Sequence, residues 1–456
     1  MRDGDSSQST DSITSRRKFI AAAGAAGVVG LAGCGGGGGD GGDDDTATES
    51  GDGGDGGDGG NGDGGGGDGG GTATESGPAV ESVSVGMVTS TSGPFAVFGN
   101  AAVTGARLAM QDLESEMGVS IDLTTADSQL SPGTALDEAR SLVTEDGVDF
   151  LMGGVSSAVA LKVGGWATSN QVTYMSTGAH SSALTGASCG KFTFRPSASN
   201  SMLAATIGTE MAKAADEWYL MYSDYTWGQT AQQAVKTILE EQGKTVVGTE
   251  AVPFPSDDYA QYINRAKASG APAIGVLIAG LDLRKATNQI IAKGIQDRTL
   301  AMHQLEDIVY WGLDKESASI LDIAGQVWGP AADGGDEFKQ RVAETGELDP
   351  YVRHFLGYVS MDQAVRAAMR AGSTKAPAMR SALEGHQVES KITGMKGGGE
   401  MFWRAGDHQL IQPTYTVSSL PVEEMSNDPY KTWFSVEESF SGTDVARSIE
   451  ETGCSL

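Results

Sequence analysis

Residues 82–99 read SVSVGMVTSTSGPFAVFG, and this stretch decides the fold. Its first seven residues form a short apolar run. A Thr-Ser-Thr-Ser-Gly-Pro turn follows, and apolar residues then recur at helical spacing over Ala101–Leu113. The order is strand, turn, helix. It repeats along the chain. Further apolar runs lie at Phe150–Val155, Val172–Ser176, Trp218–Tyr222, Ala273–Ala279 and Ile323–Trp328. Amphipathic segments alternate with them at Thr134–Val143, Met202–Ala214, Thr230–Glu241, Tyr259–Ala268 and Leu283–Ala292. Such alternation predicts an α/β fold of parallel sheets covered by helices. The units are too many for one sheet, and the pattern breaks near Phe192–Ser199. Two doubly wound lobes are therefore expected.

In open parallel sheets ligands bind beyond the carboxyl ends of the strands, so the residues after each run are the candidates. Ser92 lies in the first such turn. GGVSS, residues 153–157, opens a helix around Ala158–Trp166. A helix start suits an anion, but Ser156 or Ser157 also suits a simple cap, and the two readings stand level. STGAHS, residues 176–181, is a third such turn, with His180 a contact or a structural histidine.

The 456 residues carry a net charge of −29, and residues 77–456 alone hold 46 acidic and 27 basic residues. This surface repels nucleic acid. It fits a halophilic, salt-rich setting better than an acidic docking face. Near the start, SRRKFI (residues 15–20) precedes a short apolar stretch ending in LAGC (residues 31–34). That order is an export signal. The paired arginines resemble a twin-arginine (Tat) signal, and LAGC resembles a lipobox in which Cys34 would be lipidated. The apolar stretch is too short to span a bilayer. Residues 35–79 are dominated by Gly and Asp and read as a disordered tether.

Residues 83–99, DSQLSPGTA (127–135), SDYTWG (223–228), AGLD (279–282) and Gly357–Ala364 resemble, in order and spacing, the branched-chain amino acid binding proteins. These have the type I periplasmic-binding-protein fold, a clamshell of two lobes joined by a multi-strand hinge. The resemblance covers about residues 81–420 and implies the organisation. Lobe 1 would be 80–196 with 328–395, lobe 2 would be 197–327 with 396–420, and 421–456 a tail packing on the lobes. Hinge crossings are expected near Phe194–Pro196, Trp328–Pro330 and Lys396–Phe402. The ligand would lie between Phe98 of one lobe and Tyr225 or Trp227 of the other. Ser157, Gly178 and His180 would meet its carboxylate, and Glu306 or Asp307 its ammonium group. Ser92, Ser156, Ala179 and Gly280 complete the expected set. His180 stands where amino acid binders usually have threonine, which argues against assuming a branched-chain amino acid; should neither Glu306 nor Asp307 point into the cleft, aromatic acids, amides or urea move up as ligands. Some relatives also imply a Cys189–Cys454 disulfide.

The function so implied is capture of a small polar ligand by an exported, lipid-anchored monomer on the outer face of the cytoplasmic membrane. It would deliver that ligand to the permease and ATPase of an ABC importer, without cofactor or metal. The alternative is a lipoprotein that passes a ligand signal to a separate receptor. GASCG, residues 186–190, fits the serine-hydrolase pattern GxSxG, but a polar turn precedes Ser188 where that motif needs a strand. The five histidines show no metal-binding spacing.

Overall fold

The computed structural model describes residues 80–326, 328, 335–347, 349–427 and 433–456. The expected export signal, Cys34 and the expected tether lie outside them, as do Pro330 and the rest of 329–334 in the second expected crossing.

The first sheet has five parallel strands in the order β2-β1-β3-β4-β5. They are β1 (Ser82–Thr89), β2 (Ser120–Asp127), β3 (Phe150–Gly153), β4 (Tyr174–Ser176) and β5 (Thr193–Phe194). Counting helices of eight residues or more, α1 (Ala96–Met117), α2 (Pro132–Thr144) and α3 (Ser157–Ser169) connect them. The starts and stops follow from the residues. Ser131 caps α2 by accepting from the Thr134 N–H at 3.2 Å, with Pro132 in the first turn, and Gly118 ends α1 at φ 67°.

The second sheet runs β7-β6-β8-β9-β10 in parallel. Its strands are β6 (Glu217–Ser223), β7 (Thr245–Val252), β8 (Ala273–Leu277), β9 (Thr299–Met302) and β10 (Ile323–Gln326). Helices α4 (Asn200–Ala214), α5 (Thr226–Glu241), α6 (Ala260–Ala268) and α7 (Asp282–Ala292) accompany them. In both sheets the chain lays one strand to one side of its first and then crosses to the other. Each lobe thus has a switch point, between β1 and β3 and between β6 and β8, where a crevice opens.

The late chain departs from expectation. Residues 396–413, assigned to lobe 2, include a separate hairpin of β11 (Phe402–Trp403) and β12 (Leu410–Ile411). Its turn bridges back to the first lobe through Arg195 and Gln409. The reason is packing: the His408 ring stacks on Phe194 at 4.0 Å, and Trp403 meets Phe194 edge-on at 5.7 Å. β13 (Thr414–Ser419) and β14 (Phe434–Phe440) add an antiparallel edge to the second sheet. The expected tail therefore supplies a strand before its last residues turn back. Cys454 is disulfide-bonded to Cys189, 265 residues earlier. Closing so long a loop in the unfolded chain is worth ~5 kcal/mol at most.

Three further helices follow β10: α8 (Asp336–Glu344), α9 (Val352–Ala371) and α10 (Ala376–Leu383). α9 is buried along most of its length and packs on α1. The two touch through glycine. A Cβ on Gly105 would overlap the His354 carbonyl, and one on Gly357 would overlap the Ala102 carbonyl. Neither neighbour is a side chain that can swing aside. Gly357→Ala is expected to destabilise the protein by about 3 kcal/mol or more, by overpacking against backbone. Gly165→Ala, on α3 with nothing within 4 Å of the added carbon, should be neutral or stabilising by about 0.5–1 kcal/mol. Urea unfolding midpoints of the two variants check the contrast.

Candidate functional site

The ends of the strands meet at one cavity between the lobes. It contains roughly 440 Å³ of space free of protein atoms, part of it open to solvent. Phe95 and Phe98 come from the segment after β1, Val155 from after β3, and His180 from after β4. Arg353 reaches it from the first turn of α9. Across the cleft stand Tyr225 and Trp227 after β6, Ala279 and Gly280 after β8, and Gln304 and Glu306 after β9.

The walls are aromatic. Phe95 meets Phe98 edge-on at 5.6 Å within its lobe, and reaches Phe254 at 5.1 Å and Tyr225 at 6.4 Å across the cleft. Gly280, at φ 59°, lets the rings approach: a Cβ there would lie 3.0 Å from Phe95 and 3.2 Å from Phe98.

The floor is charged. Arg353 and Glu306 are both buried and come from opposite lobes. Arg353 Nε donates to both Glu306 oxygens at 3.1 and 3.0 Å, Nη2 donates to Oε1, and Nη1 donates to the Gly178 carbonyl at 2.7 Å. The Arg353 guanidinium also lies 5.4 Å from the centre of the Phe98 ring. Burial works against its charge, but the Glu306 carboxylate outweighs it and holds the Arg353 pKa above its ordinary value. Gln304 links the lobes a second time, its Nε2 lying 3.1 Å from Glu306 Oε1 and 2.9 Å from His180 Nε2. His180 Nδ1 lies 2.7 Å from the Ala198 carbonyl, which must accept. Nδ1 therefore carries the proton and Nε2 accepts from Gln304. Burial and then the Arg353 charge push the His180 pKa well down, so the ring is neutral.

Aromatic walls around a buried ion pair, at the carboxyl ends of two parallel sheets, form the kind of crevice in which open α/β folds hold small ligands. The chain belongs to the periplasmic binding protein family. The family profile matches residues 82–420. Among relatives, the Leu/Ile/Val-binding protein homolog 3 of Brucella melitensis is 21% identical over 324 residues, 69% of this chain and 86% of that protein. A periplasmic binding protein from Burkholderia mallei superposes with a TM-score of 0.77 at 23% identity, covering 82% of this chain and 99% of the other. A solute-binding protein of an ABC transporter from Rhodopseudomonas palustris, in complex with 3,4-dihydroxybenzoic acid, superposes with a TM-score of 0.71 at 18% identity, covering 79% and 98%. The family consists of substrate-binding proteins, not enzymes. Consistently, Ser188 of the hydrolase-like GASCG is exposed in a turn with no strand before it.

Of the residues singled out from sequence, the structure brings Phe98, His180, Tyr225, Trp227, Gly280 and Glu306 to the cavity wall. Ser156, Ser157, Gly178 and Ala179 sit just behind it. Ser156 is buried at the start of α3 without a side-chain cap bond, and Ser157 Oγ accepts from the Ser181 N–H at 3.2 Å. The Gly178 carbonyl holds Arg353, and the Ala179 carbonyl accepts from Ser197 Oγ at 2.7 Å. Ser92 is set apart: it is exposed, and its hydroxyl donates to Asp127 at 2.5 Å. Asp307 does not line the cavity. Its burial, then the adjacent Glu306 charge, push its pKa up to about 7. Phe95, Gln304 and Arg353 were missed. Phe95 lay inside the decisive stretch, but only its position on the lobe-facing side of the turn distinguishes it. Arg353 gave no motif at all.

The buried histidines give stability a pH dependence. Burial lowers His303 and His354 to about 3, and His180 lies well below its ordinary value. Between pH 6.5 and about 4 the unfolded chain takes up two protons at His303 and His354 that the folded chain refuses, and the lowered His180 and His408 act in the same direction, so stability falls as pH falls. Asp307 acts oppositely, since its folded pKa is raised and its stabilisation is lost as pH rises from about 4 to 7. From His303, His354 and Asp307 the net expectation is a loss of about one proton's worth, ~1.4 kcal/mol per pH unit, across that window, with His180 and His408 adding to it. Urea midpoints at pH 7, 6, 5 and 4 measure it, and a flat profile would contradict the neutral, buried histidines.

Proposed function

We propose that this protein is the extracytoplasmic solute-binding lipoprotein of an ABC importer, and that it captures a small amino acid-like ligand between its lobes. One observation carries the reading: a buried cation and a buried anion from opposite lobes converge between aromatic walls. A zwitterion matches that pair. Its carboxylate would take Arg353 and its ammonium group Glu306, replacing one charge-assisted contact by two without leaving either side chain bare. Ligand touching both lobes favours the closed arrangement by its differential contacts, which is the event a permease senses. No bond is made or broken, and neither cofactor nor metal is required. The membrane link would run through lipidated Cys34 and the tether of residues 35–79. The acidic composition suits work in high salt.

A second reading rests on the walls. Phe95, Phe98, Tyr225 and Trp227 suit the flat ring of an aromatic acid, the ligand class held by the Rhodopseudomonas palustris relative. Glu306 separates the two. For an amino acid, Glu306→Gln should weaken binding by roughly 30- to 1000-fold, because the ligand ammonium loses its buried partner. For an aromatic acid the same change should leave affinity unchanged or raise it, because a nearby negative charge is removed. Thermal-shift screening in high salt, followed by calorimetry on both proteins, reads the outcome. A ligand panel of amino acids, aromatic acids and amides that yields no stabilisation would defeat the proposal.

The anchor is tested separately. Cys34→Ser, expressed in a host that exports and lipidates such signals, should move the protein from the membrane fraction to the soluble exported fraction. Unchanged sedimentation with membranes would refute lipid anchoring at this residue.

A further inference from the structure

A second, smaller cavity lies away from the cleft. It forms where the first crossing between the lobes meets the β11–β12 hairpin and the C-terminal segment. Arg195, Arg404 and Arg447 line it, together with Asp407 and the hydroxyl side chains of Thr185 and Ser199. Three guanidinium groups thus face one carboxylate in the lining, and the Glu451 side chain adds a second negative charge near Arg447.

The lining carboxylate is already committed. Arg404 holds Asp407 in a two-pronged pair, Nε to Oδ1 at 2.9 Å and Nη2 to Oδ2 at 2.5 Å. Arg195 is fully buried, and its bonds end on neutral acceptors: Gln409 Oε1 at 2.8 Å, the Ser181 carbonyl and the Thr185 hydroxyl. Those use three of its five N–H groups. Arg447 Nη1 donates to the main-chain carbonyl of Glu451 at 3.1 Å, while its Nε is buried without a hydrogen-bond partner. A buried guanidinium without a counter-charge is costly, and so is an unused buried N–H. Burial pulls the Arg195 pKa down to about 9 even with Asp407 nearby. The atom-free space is about 220 Å³, half that of the cleft, and part of it is open to solvent. It is lined by donors and hydroxyls and suits a compact ion rather than an organic solute.

We propose that this cavity binds a small monovalent anion, chloride in the protein's own medium, which bridges Arg195 and Arg447. The ion joins three segments distant in sequence: the crossing after β5, the hairpin, and the tail fixed by the Cys189–Cys454 bond. It braces the hinge without touching the ligand cleft, so the inference stands whatever the solute.

The test uses the whole chain. Salt in general screens the repulsion of a chain with net charge −29, whatever the anion, so anion identity is the discriminating variable. Thermal unfolding is followed in sodium chloride and in sodium gluconate at matched ionic strength. The melting midpoint should be higher in chloride. Above the dissociation constant, the folding equilibrium constant should rise about tenfold for each tenfold increase in chloride. Arg447→Gln should erase the chloride-specific part. Crystals of the unaltered protein grown in sodium bromide should show an anomalous peak within hydrogen-bonding reach of Arg447 Nε, a readout that does not depend on any variant folding. Equal midpoints in the two salts, an undiminished chloride effect in Arg447→Gln, or no bromide in the cavity would each overturn the assignment.

Discussion

The structure depends on two helices whose backbones touch at a pair of glycines. α1 and α9 are joined by no short loop; more than two hundred residues separate them in sequence. They meet through Gly105 and Gly357, each set against a carbonyl of the other helix. That approach fixes more than packing. Phe95 and Phe98 flank the start of α1, and Arg353 sits in the first turn of α9, four residues before Gly357. The glycine contact therefore sets how far the guanidinium stands from the aromatic wall, 5.4 Å from the Phe98 ring. A looser crossing would leave the fold standing and the cleft misassembled.

With the wall and the cation fixed, the cleft divides its polar groups into two kinds. Some are held by their own lobe. Arg353 is pinned by the Gly178 carbonyl and His180 by the Ala198 carbonyl, both in the first lobe or its exit. Others cross: Arg353 to Glu306, and His180 to Gln304. The held contacts orient the groups before any ligand arrives, which lowers the ordering cost of binding. The crossing contacts exist only when the lobes are together. A buried ion pair is a weak stabiliser in itself, because desolvation opposes its attraction. Pairing across the cleft thus keeps two charges from being stranded in the closed form without making closure irreversible.

Much of this was legible from residues, for reasons that differ by element. Buried parallel strands are continuous apolar runs, so β1, β3, β6 and β8 announced themselves. Edge strands did not. β2, β7 and β14 alternate exposed and partly buried positions and carry Thr, Glu and Asp, which mask them among turns. The site was legible wherever it follows a readable strand: Phe98, His180, Tyr225 and Gly280 sit at such ends. Arg353 did not stand out because nothing local distinguishes it from other arginines of an amphipathic helix. Its meaning comes from α9 folding back onto α1, a contact between segments far apart in sequence. The hairpin at 402–411 was hidden for the same reason, since the stacking of His408 on Phe194 spans more than two hundred residues.

The hinge shows how one residue serves both levels. Arg195 follows β5, where the chain leaves the first lobe, and its own backbone pairs with Gln409 of the hairpin. Its side chain binds Gln409 again, and Gln409 Nε2 in turn donates to the Ser197 carbonyl at 2.8 Å. The crossing is therefore clasped to the hairpin through main chain and side chain together, next to the disulfide-fixed tail. A hinge must bend at a few backbone positions while its flanks stay put. Clasping residues 195–197 this tightly pushes the bending toward their neighbours on the second-lobe side. Ser199, which caps α4 by accepting from the Met202 N–H at 3.1 Å, marks where the rigid second lobe begins. Between those two fixed points lies only Ala198, whose carbonyl holds His180. Any rotation at this crossing is thus transmitted directly to a side chain of the cleft.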